Sequence, residues 1–213
     1  MILLCGIPTE TPMALVRDAL DSNGTRYVVL NQRKFASMKM SLDIQGGKPS
    51  GKLQLNGDSY SVDEFTGVFT RLMDYHFLPE LQDAPADAPE LKFCCNLFET
   101  LTRWAEISPA RVVNRVAPMG SNFSKPYQAQ LIRRYGFEVP ETLITNDPDL
   151  VRAFRARHGR IIYKSISGVR SIVQTLTDDD MTRIDNIRWC PTQFQAFVEG
   201  TNVRVHTVGD KVF

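Results

Sequence analysis

The rhythm of apolar and polar positions changes several times along the chain, and each change predicts an element. Met1 to Cys5 is an unbroken apolar run, as in a strand buried on both faces. Met13-Ala14-Leu15-Val16-Arg17-Asp18-Ala19-Leu20 places its apolar residues at helical spacing. Thr11 is the expected N-cap before Pro12 in the first turn, and Asn23-Gly24 ends the helix. Tyr27-Val28-Val29-Leu30 is a second buried strand, so the chain opens β-α-β and predicts a parallel sheet. Apolar and polar residues then alternate in Leu42-Asp43-Ile44, Lys52-Leu53-Gln54-Leu55 and Ser59-Tyr60-Ser61-Val62, separated by glycine-rich turns. This predicts a small antiparallel meander. Gly67-Val68-Phe69-Thr70-Arg71 returns to a buried strand, and Asp83 to Pro89, rich in Ala, Pro and Asp, reads as a loop. Glu90 to Ile107 is an amphipathic helix with Leu91, Cys94, Leu97, Phe98, Leu101 and Trp104 on its apolar side. Val112-Val113-Asn114 is one more short strand.

The second half starts with a helix from Lys125 to Tyr135, closed by Gly136. Glu138 to Thr145 is extended, as Pro140 requires of the residue before it. Asn146 or Asp147 caps a helix running through Ala156. Ile161 to Lys164, Ser171 to Leu176 and Thr192 to Val198 are strands, and Val203 to Val208 with Val212-Phe213 forms a hairpin turning at Gly209-Asp210. The fold class is therefore α/β: a Rossmann-like domain over residues 1–110, an α+β region over 111–192, and the start of a further subdomain over 193–213.

Composition narrows the function classes. Of the 213 residues, 43% are hydrophobic and 23% charged, which is ordinary globular usage, and the net charge of +1 supplies no bulk field for nucleic acid or an anionic membrane. No apolar run approaches the roughly 20 residues of a membrane helix. Cys5, Cys94, Cys95 and Cys190 show no C-x-x-C spacing and lie far in sequence from the histidines, so reduced thiols and a cytoplasmic location are expected. His76 and His206 have no partner pattern for catalysis.

Gly46-Gly47-Lys48-Pro49-Ser50-Gly51-Lys52 satisfies most of the spacing of a phosphate-binding P-loop. The next residue is Leu53, where a hydroxyl should meet magnesium, and the segment alternates as a strand where a P-loop needs a helix. A mobile hairpin loop is the better reading. Gly6-Ile7-Pro8-Thr9-Glu10-Thr11 lacks the later glycines of a dinucleotide fingerprint.

Lys164 stands at the end of an apolar strand, where an ammonium needs a partner. A nucleotide phosphate is one such partner, and Ser165, Ser167 and Gly168 supply small side chains and free amides for a loop that closes on it. The alternative is an edge-strand surface lysine. Lys125 opens a helix, against the sense of the helix dipole, and fits if helix start and lysine both face an anion; the alternative is an exposed helix lysine. Arg204 carries a fork suited to a carboxylate or acyl-phosphate, or to a structural salt bridge. Arg71 ends an apolar strand, at the edge where open α/β sheets bind ligands, and is a substrate-contact candidate.

Ser124-Lys125-Pro126-Tyr127-Gln128, Ile161-Ile162-Tyr163-Lys164-Ser165-Ile166-Ser167-Gly168-Val169-Arg170, Gln195-Ala196-Phe197-Val198-Glu199-Gly200 and Asn202-Val203-Arg204-Val205-His206 follow one another in this order. Together they resemble the ATP-grasp ligases, in the branch of glutathione synthetase and the ribosomal-protein S6 glutamate ligases, and most closely the peptide-tailoring ligases of that branch. The resemblance implies a pre-ATP-grasp domain followed by the nucleotide-binding subdomain. It implies that Lys125 and Lys164 contact phosphates under the Ser165, Ser167, Gly168 loop, and that the hinge Gln195, Ala196, Phe197, Val198 reads adenine through its backbone. Asn202 stands where relatives carry an aspartate near ribose or substrate, and Arg204 would hold the acyl group. The implied reaction uses ATP and magnesium to activate a carboxylate as an acyl-phosphate, which an amine or hydroxyl then attacks. The implied partners are ATP and a small carboxylate or peptide; the hairpin over residues 205–213 would leave an unpaired apolar sheet edge, an association hazard for which a homodimer is one outcome.

The same resemblance expects acidic magnesium ligands and an asparagine in a later subdomain, and assigns no metal ligand within the 213 residues. A truncated product that does not turn over nucleotide is one expectation. A non-catalytic nucleotide- or peptide-binding module of the same fold is the other.

Overall fold

The computed structural model describes residues 1–166 and 172–213, and the chain divides into two compact units, Met1–Met119 and Gly120–Phe213.

The first unit opens with β1 (Ile2–Gly6), α1 (Thr11–Ser22) and β2 (Tyr27–Asn31), and β1 and β2 pair in parallel. Glu10, not Thr11, is the N-cap of α1, and no side chain bonds a first-turn amide there. Pro12 has no amide to cap, and the Glu10 carboxylate is instead engaged by Arg71 Nε at 3.2 Å. The meander forms as β3 (Lys39–Gln45), β4 (Lys48–Leu55) and β5 (Asp58–Ser61), antiparallel throughout.

The stretch read as a mobile hairpin loop is corrected here: only Gly46-Gly47 turns, with φ of 57° and 77°, and from Lys48 onward the chain is strand. Gly51 has φ +157°, and a Cβ there would sit 2.0 Å from the Ser41 carbonyl oxygen of β3. Close strand approach, not phosphate, explains that glycine.

β6 (Gly67–Thr70), α2 (Pro89–Ile107), β7 (Arg111–Val113) and α3 (Val116–Met119) complete the unit, and the parallel sheet runs β2-β1-β6-β7. Its core joins Leu3, Leu30 and Val68 of the sheet to Leu97, Phe98, Leu101 and Trp104 of α2, and to Leu53 and Leu55 of β4. The Arg115 guanidinium closes the end of α2 by donating to the carbonyls of Ala105, Glu106, Ser108 and Ala110.

The second unit contains α4 (Lys125–Arg134), β8 (Thr142–Thr145), α5 (Pro148–His158), β9 (Ile161–Ser165), β10 (Gln174–Thr175), α6 (Asp178–Thr182), β11 (Thr192–Ala196) and a hairpin of β12 (Thr207–Val208) and β13 (Lys211–Val212). The main sheet runs β10-β9-β11-β8 with every neighbour antiparallel. Asp147 caps α5, its carboxylate accepting from the Asp149 amide at 2.9 Å. Three strands are shorter than the sequence pattern suggests. β11 stops at Ala196, β10 covers Gln174–Thr175 among the described residues, and Val203 to His206 is not strand. Helix α6 was not anticipated; Thr177 and Asp180 form a reciprocal capping box at its start. Val151, Phe154, Ile161, Leu176, Ile184 and Phe194 make this unit's core. Among the described residues, no helix is long and apolar enough to cross a membrane.

Candidate functional site

Alternation along β9 and β11 divides the second sheet into two chemically different faces. Ile161 and Phe194 lie in the core cluster, with Tyr163 and Leu143 packed against it. Successive strand residues point to opposite faces, so Ile162, Lys164, Gln193, Gln195, Thr142 and Ile144 belong to the other face. There the register sets Lys164 directly across from Gln193, and Gln193 across from Ile144.

Lys164 is half-buried. Burial, first, and the ammonium of Lys125, second, push its pKa below the ordinary lysine value. Lys125 is the first residue of α4, whose N-cap Ser124 accepts from the Tyr127 amide at 3.3 Å. Lys125 at the helix start thus lies near enough to add to the effect of burial on Lys164. Like charges disfavour each other, and a bound anion reverses that balance. Ser165 closes β9 and is exposed. Ser167 and Gly168, the expected covering loop, lie outside the described residues.

At the hinge, Gln195 Nε2 donates to Thr142 Oγ1 at 3.0 Å. The Ala196 amide donates to the Glu141 carbonyl and the Phe197 amide to the Arg160 carbonyl, each at 3.0 Å. Val198 follows the last residue of β11, and its amide donates to no backbone acceptor among the described residues. The Arg160 guanidinium lies over the Phe197 ring, 3.6 Å from the centroid, and fixes that ring against the end of β9. Arg160 was not anticipated, although a cation between a glycine and an apolar strand start was visible in Gly159-Arg160-Ile161.

Asn202 and Arg204 are exposed in the segment between β11 and β12, and Arg204 makes no ion pair among the described residues. Arg71 belongs to the first unit, at the carboxyl edge of its parallel sheet, where its amide donates to the Cys5 carbonyl at 2.8 Å. Gly6 at φ +154° lets the chain pass there; a Cβ would stand 2.9 Å from the Arg71 carbonyl oxygen. Gln193 was missed as well. It is 3% exposed, and its Oε1 is buried without a hydrogen-bond partner among the described residues. Among those residues, no three His, Cys, Asp or Glu side chains come together to hold a metal ion.

No protein-family model matches the chain, and neither does any curated protein sequence. Solved structures do. A RiPP-associated ATP-grasp ligase from Chryseobacterium gregarium, in complex with ADP and a leader and core peptide, matches at TM-score 0.75 and 22% identity over 99% of this chain and 67% of its own. The ATP-grasp ligase PsnB, complexed with a minimal precursor, Mg and ADP, matches at TM-score 0.75 and 29% identity over 99% of this chain and 68% of its own. The macrocyclase MdnC from Microcystis aeruginosa MRC, bound to the precursor peptide MdnA, matches at TM-score 0.72 and 22% identity over 92% and 67%. The fold is that of the ATP-grasp ligases. The solved structures that share this fold include peptide-tailoring ligases of that superfamily.

Proposed function

We propose that this chain holds ATP for a ligase reaction on a peptide or amino-acid substrate. The observation that carries the reading is Lys164, half-buried on the sheet face away from the core cluster, with Lys125 at the start of α4 near enough to lower its pKa further. A polyphosphate would satisfy both lysines together. The Val198 amide, which donates to no backbone acceptor among the described residues, supports adenine at the hinge, beside the backbone of Gln195, Ala196 and Phe197. Ser165, Ser167 and Gly168 would cover the phosphates, and Asn202 would meet ribose. The ADP, AMPPNP and precursor peptides held by PsnB, at 28–29% identity, support nucleotide and peptide as ligands.

In the reaction, a substrate carboxylate oxygen attacks the γ-phosphorus of ATP, and the bond to the β–γ bridging oxygen breaks to release ADP. An amine or hydroxyl then attacks the acyl carbon, loses its proton and expels phosphate. Lys164 and Lys125 balance charge on the phosphates throughout, and Arg204 is the candidate to bind carboxylate oxygens. Magnesium would supply further charge neutralisation in such a transfer. The described residues do not offer it a cluster of three His, Cys, Asp or Glu ligands. The 213-residue polypeptide alone is therefore expected to bind nucleotide without turning it over. ADP release is measured with magnesium and a pool of amino acids and peptides. The background rate is expected, and turnover above it from pure material contradicts this reading of the metal site.

A further inference from the structure

The polar group hardest to explain by folding alone is the Gln193 side chain. It is 3% exposed on the middle strand between β8 and β9, and its buried Oε1 accepts no hydrogen bond among the described residues. A buried carbonyl oxygen without a donor destabilises a fold, and an apolar residue of similar shape would serve the packing better. The neighbour across the ladder on β9 is Lys164, on the same face. Directly opposed residues in such a pair hold their Cβ atoms about 4.5–5.5 Å apart, so the longer lysine stem can bring its ammonium to the shorter amide. The other cross-strand neighbour, Ile144, offers no donor. The hinge lies three residues further along β11, at Ala196, which puts Gln193 nearer the lysine than the base.

We propose that Gln193 is the positioning residue of Lys164: its Oε1 accepts a hydrogen bond from the ammonium and holds it toward the phosphates of bound nucleotide. The inference rests on the reading of Lys164 as a phosphate contact. When an anion draws the ammonium into the site, the amide oxygen gains its missing donor, and the lysine loses fewer donors to desolvation. The unpaired oxygen of the free protein is thereby matched to the bound state.

The test uses Gln193→Met, close in shape and without the acceptor, with Gln193→Leu as a second variant and Lys164→Ala as the control. Calorimetric titration with ADP and with adenosine separates the phosphate end from the base end, and thermal melting reports the free fold. The expected result is ADP binding weakened about fivefold to thirtyfold, adenosine binding within about twofold of the parent, and an unchanged or higher Tm. A lower Tm with equal losses for ADP and adenosine would make Gln193 a packing residue and overturn the inference. So would unchanged ADP binding in a variant that folds, if Lys164→Ala still loses affinity. If Lys164→Ala binds ADP as the parent does, the phosphate reading of Lys164 fails, and this inference fails with it.

Discussion

β4 and β9 are each a strand between two antiparallel neighbours, and each carries a lysine beside small residues, yet their surroundings are opposite. Lys52 on β4 is exposed, between Ser41 and Ser61 in the register, and the glycine before it exists because β3 passes too close for a Cβ. Lys164 on β9 is half-buried, faces a buried glutamine and shares its space with a second ammonium. A glycine-rich lysine motif by itself says little about phosphate. A cation held partly out of water beside another cation points to an anion, because only a ligand of opposite sign relieves both penalties.

The comparison is most sharply broken by perturbing each strand's core side. Phe194→Ala removes a 1% exposed ring from the second unit's core, with an expected loss of about 3–5 kcal/mol in chemical denaturation. Hydrogen exchange in this variant should lose protection in β8, β9 and β11. Equal loss in β3 and β4 would show that the two sheets do not behave as separate cores.

Gly51→Ala comes next. The clash with the Ser41 carbonyl should destabilise the meander by about 1–3 kcal/mol while ADP binding stays as in the parent. A loss of ADP binding with an unchanged melt would return phosphate to the Gly46 to Lys52 segment. Asp147→Ala removes the cap of α5, and about 1 kcal/mol of stability should go with it. A melt unchanged within error would contradict the cap's role.

A smaller effect sharpens the comparison through pH. The folded pKa of Lys164 is depressed, so between that value and the unfolded lysine value, near about 10.4, the unfolded chain binds more protons. Ligand-free stability attributable to Lys164 should therefore rise with pH across that window. ADP affinity should fall across the same window, because the ammonium is the form that binds phosphate. Denaturation and titration of the parent and Lys164→Met between neutral pH and pH 10 read both slopes. Identical slopes in the two proteins would count against the assignment.

Much of the fold was legible because its strongest signals are local. The apolar runs at Ile2–Gly6 and Gly67–Thr70 and the long periodicity of α2 sit where expected. Errors came where a partner strand or a side chain elsewhere decides. Lys48 to Gly51 reads as loop chemistry, but β3 recruits it into a ladder. The Glu10 carboxylate, 61 residues from Arg71 in sequence, serves that arginine and not the helix.

The site was legible in part. Lys125 and Lys164 were visible through their placement at a helix start and a strand end, but the influence of one on the pKa of the other depends on tertiary structure. Gln193 was hidden because a glutamine in an alternating strand looks like a solvent-facing residue until the register shows what covers it. Arg160 was hidden because its stacking on Phe197 depends on the pairing of β9 with β11.

The central claim is that nucleotide phosphate binds at Lys164 and not at the glycine-rich segment ending in Lys52. Calorimetric titration of ADP into the parent, Lys164→Ala and Lys52→Ala compares the two lysines in one experiment. Lys164→Ala should lose about 1.5–3 kcal/mol of binding free energy, the value of a charge-assisted contact, and Lys52→Ala should match the parent. A larger loss in Lys52→Ala than in Lys164→Ala would contradict the account and return the phosphate to the β3–β4 hairpin.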